Sequence, residues 1–155
     1  MVYYGQRDAR WSNEIMGFGV SSIGSVGCYL TSLCNGLNTK GYFYTPFTLN
    51  DLLKQTGSFD LESEFKNYVD AENVKNTLPN IFINYTYVDP WNDQPNLDEI
   101  LKPNVIALGK VSGKPIGGSS THFVLITGKS SLIIILIIFG REIIGVDFGY
   151  FQNRF

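Results

Sequence analysis

The clearest periodicity in the chain begins at residue 28. In Cys28-Tyr29-Leu30-Thr31-Ser32-Leu33-Cys34-Asn35-Gly36-Leu37 the apolar positions 30, 33, 34 and 37 recur at helical spacing. This predicts a helix over residues 27–38, ended near Asn38 or Gly41. Residues 45–54 predict a second helix, with Thr48 as N-cap, Asp51 at the capping-box position and Gly57 closing it. The stretch up to Gly27 is rich in Gly and Ser and reads as loop with short irregular pieces. Residues 61–79 are weakly helical and stop at Pro79; 81–88 reads as a strand, and Asn96 caps a short helix running to Leu101. Beyond Val105 helical spacing gives way to β-branched runs. Strands are predicted over 105–109, 121–128, 132–139 and 142–146. Helices first and strands later predict an α+β domain with a mostly antiparallel sheet.

The run Leu132-Ile133-Ile134-Ile135-Leu136-Ile137-Ile138-Phe139 is too short for a membrane helix, which needs roughly 20 apolar residues. Its β-branched content predicts a strand buried on both faces, which would be an aggregation hazard if exposed. A partner-binding surface is the other reading of this run. With no repeat, low-complexity tract or long linker in 155 residues, the expectation is one domain over 1–155. The first residues show no basic-then-apolar targeting signal, so no signal peptide is expected.

Composition narrows the function classes. Charged residues are 17% and the formal net charge is −2. Lys and Arg are scattered singly, without the clustered basic surface that phosphate neutralisation needs, so no nucleic-acid partner is expected. Aromatic residues are 14%, which fits core filling, with a peptide- or sugar-binding groove as the sharper alternative. Two cysteines six positions apart on one helix face different ways and are expected as free thiols. Two cysteines and a single histidine argue against a zinc site, and no cofactor or metal is expected.

The chemistry candidates lie at element ends. Cys28 stands where a Gly-rich loop becomes a helix. A helix N-terminus carries partial positive charge, which stabilises a thiolate, the nucleophile of cysteine hydrolases. The bland reading of Cys28 is a small buried apolar residue, and that reading holds for Cys34, which lacks the terminal N–H groups. His122, the only histidine, follows a Gly- and Ser-rich loop and begins an apolar strand. That is the rim position a general base would hold, although a lone histidine is commonly structural. Asp147, near the end of a later strand, is a candidate to orient the imidazole, or else an ordinary turn aspartate before Gly149. The backbone N–H of Cys28 and the side-chain amide of Gln6 are candidate oxyanion donors. Gln6 reads equally as an exposed polar residue.

Beyond these single residues, two longer motifs stand out. Gln6-Arg7-Asp8-Ala9-Arg10-Trp11, then Gly17, then Ile23-Gly24-Ser25-Val26-Gly27-Cys28-Tyr29-Leu30-Thr31-Ser32, resembles the C39-like group of papain-fold cysteine peptidases. Thr45-Pro46, Leu49-Asn50 and Leu52 resemble that family's stretch after the helix, and Thr121-His122-Phe123-Val124-Leu125-Ile126-Thr127-Gly128 resembles its histidine strand. The likeness covers residues 3–57 and 104–128. It implies a papain-like fold, with an N-terminal helix carrying the cysteine packed on the sheet. It also implies Cys28 as nucleophile, His122 as base and Gln6 in the oxyanion hole. The family's Asp-Pro after the histidine strand is replaced here by Asp147-Phe148-Gly149-Tyr150 at a longer spacing, and residues 132–139 stand where the family tends to have a polar hairpin.

The opening Tyr-Tyr-x-Gln-Arg-Asp resembles the peptidase modules of phage lysis and tail proteins. That implies an endolysin-like thiol protease, made in the cytoplasm and acting on peptidoglycan peptides at the bacterial cell wall, without cofactor. A leader-peptide or protein-processing protease is the alternative enzyme. A catalytically silent papain-fold binding or structural module is the alternative of another class.

Overall fold

The structure, a computed structural model, describes residues 2–59, 101–103, 105–112, 121–130, 133–138 and 141–147. The helix and strand expectations over 61–79, 81–88 and 96–100 lie outside these residues. The described elements run in chain order α1 (Ile23–Val26), α2 (Cys28–Thr39), α3 (Pro46–Gln55), β1 (Ala107–Ser112), β2 (Thr121–Ser130), β3 (Ile133–Ile138) and β4 (Arg141–Asp147). Helices precede strands, and the class is α+β. The four strands form one antiparallel sheet in the order β1-β2-β3-β4. Each strand pairs with its sequence neighbour, as short connections dictate.

The two longer helices fall where periodicity puts them, because their apolar stripes have somewhere to go. Leu30, Leu33 and Leu37 of α2 meet Leu49 and Leu53 of α3 in a core completed by Trp11, Met16, Ile23 and Phe59. These leucines are at most 3% exposed, and burying each contributes roughly 2 kcal/mol. Both helices stop in the same way. Tyr42 N–H reaches Leu37 O and Gly41 N–H reaches Asn38 O; Ser58 N–H reaches Leu53 O and Gly57 N–H reaches Lys54 O. Gly41 and Gly57 hold φ of 88° and 65°, the left-handed conformation this stop requires.

Two sequence expectations need correction. The N-cap of α3 is Thr45, not Thr48, and Asp51 is not its capping-box partner. Thr45 Oγ1 accepts from Thr48 N–H at 3.1 Å, and Thr48 Oγ1 accepts from Thr45 N–H at 2.9 Å. Pro46 decides the start, since its fixed φ and missing N–H suit the first helical position. β1 begins at Ala107 rather than residue 105, because Val105 N–H is held in a turn by Lys102 O at 3.0 Å. The opening segment is loop with short irregular pieces, as expected: a bridge joins Ile15 to Ser22, and the four-residue α1 follows directly.

Buried and half-buried asparagines hold the irregular segments by standing in for missing backbone partners. Asn35 accepts from Tyr4 N–H at 2.8 Å and donates to Tyr4 O at 3.0 Å. Asn38 does the same for Tyr44, and Asn50 accepts from Gly17 N–H while donating to Ile15 O. Each satisfies two backbone groups that burial would otherwise leave at a cost of about 1–3 kcal/mol apiece. α2 approaches the sheet at Gly36, where a Cβ would collide with the side chain of Ile106.

Candidate active site

The turn between α1 and α2 is built so that only glycine fits before Cys28. Gly27 N–H bonds Ile23 O at 2.8 Å, and a Cβ on Gly27 would stand 2.5 Å from that same oxygen. Gly24 is pressed equally hard on Ser12 O, to which its N–H donates at 2.9 Å. Cys28 is therefore the first residue of a 12-residue helix whose N-cap has no side chain and whose first turn has no acidic residue. The first-turn N–H groups and the helix dipole face whatever anion forms there. The Cys28 side chain is partly exposed.

Cys34, two turns along, is the opposite case. It is 0% exposed, its thiol donates to Tyr44 O at 3.3 Å, and burial pushes its pKa up to about 12. It is held as an inert thiol, as its mid-helix position predicts.

His122 is brought to the same end of α2 by a tie one turn below Cys28. Ser32, 6% exposed, donates through Oγ to the carbonyl of Phe123 at 3.0 Å. The Tyr29 and Phe123 rings meet edge to face at 5.1 Å. The Ser32–Phe123 bond joins the second turn of α2 to the start of β2. The residues next to Cys28 and next to His122 are thus in contact. His122 is the second residue of β2, and alternation sends its side chain to the face opposite Phe123.

His122 is half-buried. Burial first, and the Arg7 guanidinium second, hold its pKa below the ordinary 6.5. Both disfavour the imidazolium. The ring is therefore neutral near pH 7, the form able to take a proton.

The N-terminal segment forms the third side. Gln6 is 6% exposed, not an exposed polar residue, and its Nε2 donates to Ile23 O and Gly24 O, each at 3.1 Å. Both amide hydrogens are engaged with the turn that precedes Cys28. Gln6 therefore locks that turn in this conformation rather than pointing a free donor at an oxyanion. The rest of the Gln-Arg-Asp-Ala-Arg-Trp motif is also scaffolding. Trp11 Nε1 donates to Gly5 O at 2.9 Å, Tyr4 packs edge to face on Trp11, and Arg10 lies 4.5 Å over the Trp11 ring. Arg10 in turn forks onto Asp8 at 2.9 and 2.7 Å, which lowers the Asp8 pKa to about 2.

Asp147 is not brought to this site. Across the sheet it pairs with Ile133, which pairs with Ser130. His122 pairs with Val111 at the other end of β2. Positions 122 and 130 are roughly 25 Å apart along a strand that rises about 3.3 Å per residue. The register therefore offers no route for Asp147 to orient the imidazole. The sequence reading placed it by element count, which cannot see which end of the strand it reaches.

Ser32 and Asn35 carry roles that sequence reasoning missed. The available signal was two polar residues on the inner side of an otherwise apolar helix. Among the described residues no group of three or more His, Cys, Asp or Glu is placed to hold a metal ion, and no helix is long and apolar enough to cross a membrane. Compared with protein-family models, with curated proteins and with solved structures, the chain matches none.

Proposed function

We propose that this chain is a cysteine peptidase of papain-like fold, with Cys28 as nucleophile and His122 as base, cleaving amide bonds in bacterial peptidoglycan peptides in the manner of a phage endolysin. The observation that carries the reading is the Ser32–Phe123 bond, which fastens the helix that Cys28 begins to the strand that carries His122 near its start. The motif resemblance of residues 3–57 and 104–128 supports the same roles and is the sole support for the substrate class.

In the proposed reaction His122 accepts the Cys28 thiol proton, and the thiolate attacks the scissile carbonyl carbon. The oxyanion is met by the Cys28 backbone N–H at the helix start. Gln6 adds a second donor only by releasing Gly24 O. His122 then protonates the leaving amine, and water hydrolyses the thioester to free acid and thiol. Catalytic hydrogen bonds commonly tighten once substrate is bound. Asp147 has no part in this scheme.

A second reading, a catalytically silent module of the same fold, is favoured by one observation: both Gln6 amide hydrogens are already engaged. One experiment separates the two. The protein is incubated with purified cell walls and with casein, and new termini are identified by mass spectrometry. Wall peptides newly cut by the wild-type chain and left intact by Cys28→Ala support the peptidase. Cleavage of casein alone replaces the wall substrate with a protein-processing role. Equal cleavage by both chains, or none by either, rejects Cys28 catalysis.

A further inference from the structure

Among the described residues one buried side-chain polar atom lacks a hydrogen-bond partner: Thr31 Oγ1. Its neighbours show how unusual this is. Ser32 is bonded to Phe123 O, and Asn35 to both backbone groups of Tyr4. Thr31 is 5% exposed. A hydroxyl buried unpaired destabilises the fold, and valine has the same shape without that penalty.

Position resolves the puzzle. Thr31 is three residues after Cys28, and side chains at i and i+3 share one helix face with Cβ atoms about 5–6 Å apart. Helical side chains lean toward the N-terminus, so Thr31 leans over the turn that Cys28 opens. The same face continues to Asn35, which is clasped by Tyr4, so the segment carrying Gln6 covers it. A hydroxyl and a sulfur borne on such neighbouring Cβ atoms are within reach of a hydrogen bond.

We propose that Thr31 is a thiolate-stabilising residue whose hydroxyl, idle in the resting protein, donates to the Cys28 sulfur once that sulfur is ionised. The inference rests on the peptidase reading and deepens it. It makes Thr31 Oγ1 a third donor at the helix start, beside the first-turn N–H groups and the dipole. A bond to an anionic acceptor is about twice as strong as one to a neutral acceptor, so the hydroxyl contributes mainly when charge is present.

The test is the rate of Cys28 alkylation by iodoacetamide across pH 5–9, localised by tandem mass spectrometry, in wild type, Thr31→Val and Thr31→Ser. Thr31→Val is expected to label about tenfold more slowly near pH 7, with its pH midpoint moved up by about one unit. It is also expected to melt a few degrees higher, since the unpaired hydroxyl is gone. Thr31→Ser keeps the hydroxyl and is expected to label close to the wild-type rate. Should Thr31→Val not fold, Thr31→Ala carries the same comparison. An unchanged rate and midpoint in the hydroxyl-free variant, or a serine variant as slow as the valine one, overturns the role of Thr31 while leaving fast wild-type labelling, and with it the peptidase reading, intact. Wild-type Cys28 labelling no faster than Cys34 overturns both.

Discussion

The first and second turns of α2 each carry a cysteine, and one helix gives them opposite chemistry. At the second turn Cys34 is buried in the core, with its thiol donating to Tyr44 O and its pKa pushed up to about 12. At the first turn Cys28 is partly exposed and follows a glycine that offers no side-chain cap to the helix. Two thiols on one helix thus differ because one lies along the element and the other at its end. The backbone charge of a helix is felt only at its termini.

Breaking the comparison at its active end has the largest expected effect. Cys28→Ala and His122→Ala are each expected to abolish hydrolysis of wall peptides while circular dichroism and melting stay near wild type. Cys34→Ala is expected to reverse that pattern. It keeps turnover within a few-fold and lowers stability by about 1 kcal/mol, through a small cavity and the loss of one of the two hydrogen bonds to Tyr44 O. Activity lost in the Cys34 variant and kept in the Cys28 variant would exchange the roles assigned here.

Ser32→Ala comes next, because it loosens the joint between the two halves of the site. The Phe123 carbonyl loses its partner, and the fold is expected to lose roughly 1–2 kcal/mol. Turnover is expected to fall about tenfold with KM little changed, because binding survives and alignment of thiol and imidazole does not. A fall in stability without a fall in kcat would make Ser32 a core residue only.

The pH dependence sharpens the assignment of the base. The folded pKa of His122 lies below 6.5, so the unfolded chain binds the proton more readily in that window. Stability from this group is complete above pH 6.5 and is lost as pH falls through the folded value. The acid limb of kcat/KM is expected below pH 6.5, since only the neutral ring accepts the thiol proton. Arg7→Gln is expected to raise that limb toward 6.5 by removing a like charge. A limb unmoved by the Arg7 change would mean the guanidinium does not act on His122. The smallest expected effect is at Asp147, where alanine leaves turnover near wild type because the register sets it at the far end of β2.

These placements also mark what a single sequence reveals. The bodies of α2 and α3 were legible because apolar spacing and Gly41 and Gly57 act locally. The four described strands were legible because β-branched runs have no competing use. The start of α3 was missed by three residues because Thr45 and Thr48 are both good caps, and only Pro46 breaks the tie. At the proposed site, Cys28 and His122 stand out as candidates from their positions at element ends. The work of Gln6 could not, since its partners Ile23 O and Gly24 O are 17 and 18 residues away. Ser32 reaches 91 residues to Phe123, and no local rule signals such a bond. Asp147 failed for a related reason: strand order and direction decide which end of a neighbour a residue meets, and those are properties of the whole sheet.

The pairing of one thiol with one imidazole is tested most directly by the relative alkylation rates of Cys28 and Cys34 near pH 6–7, in the wild type and in His122→Ala. Cys28 in the wild type is expected to label far faster than Cys34, and loss of His122 is expected to remove most of that advantage. Equal, slow labelling of the two cysteines, or a Cys28 rate indifferent to His122, would contradict the pairing.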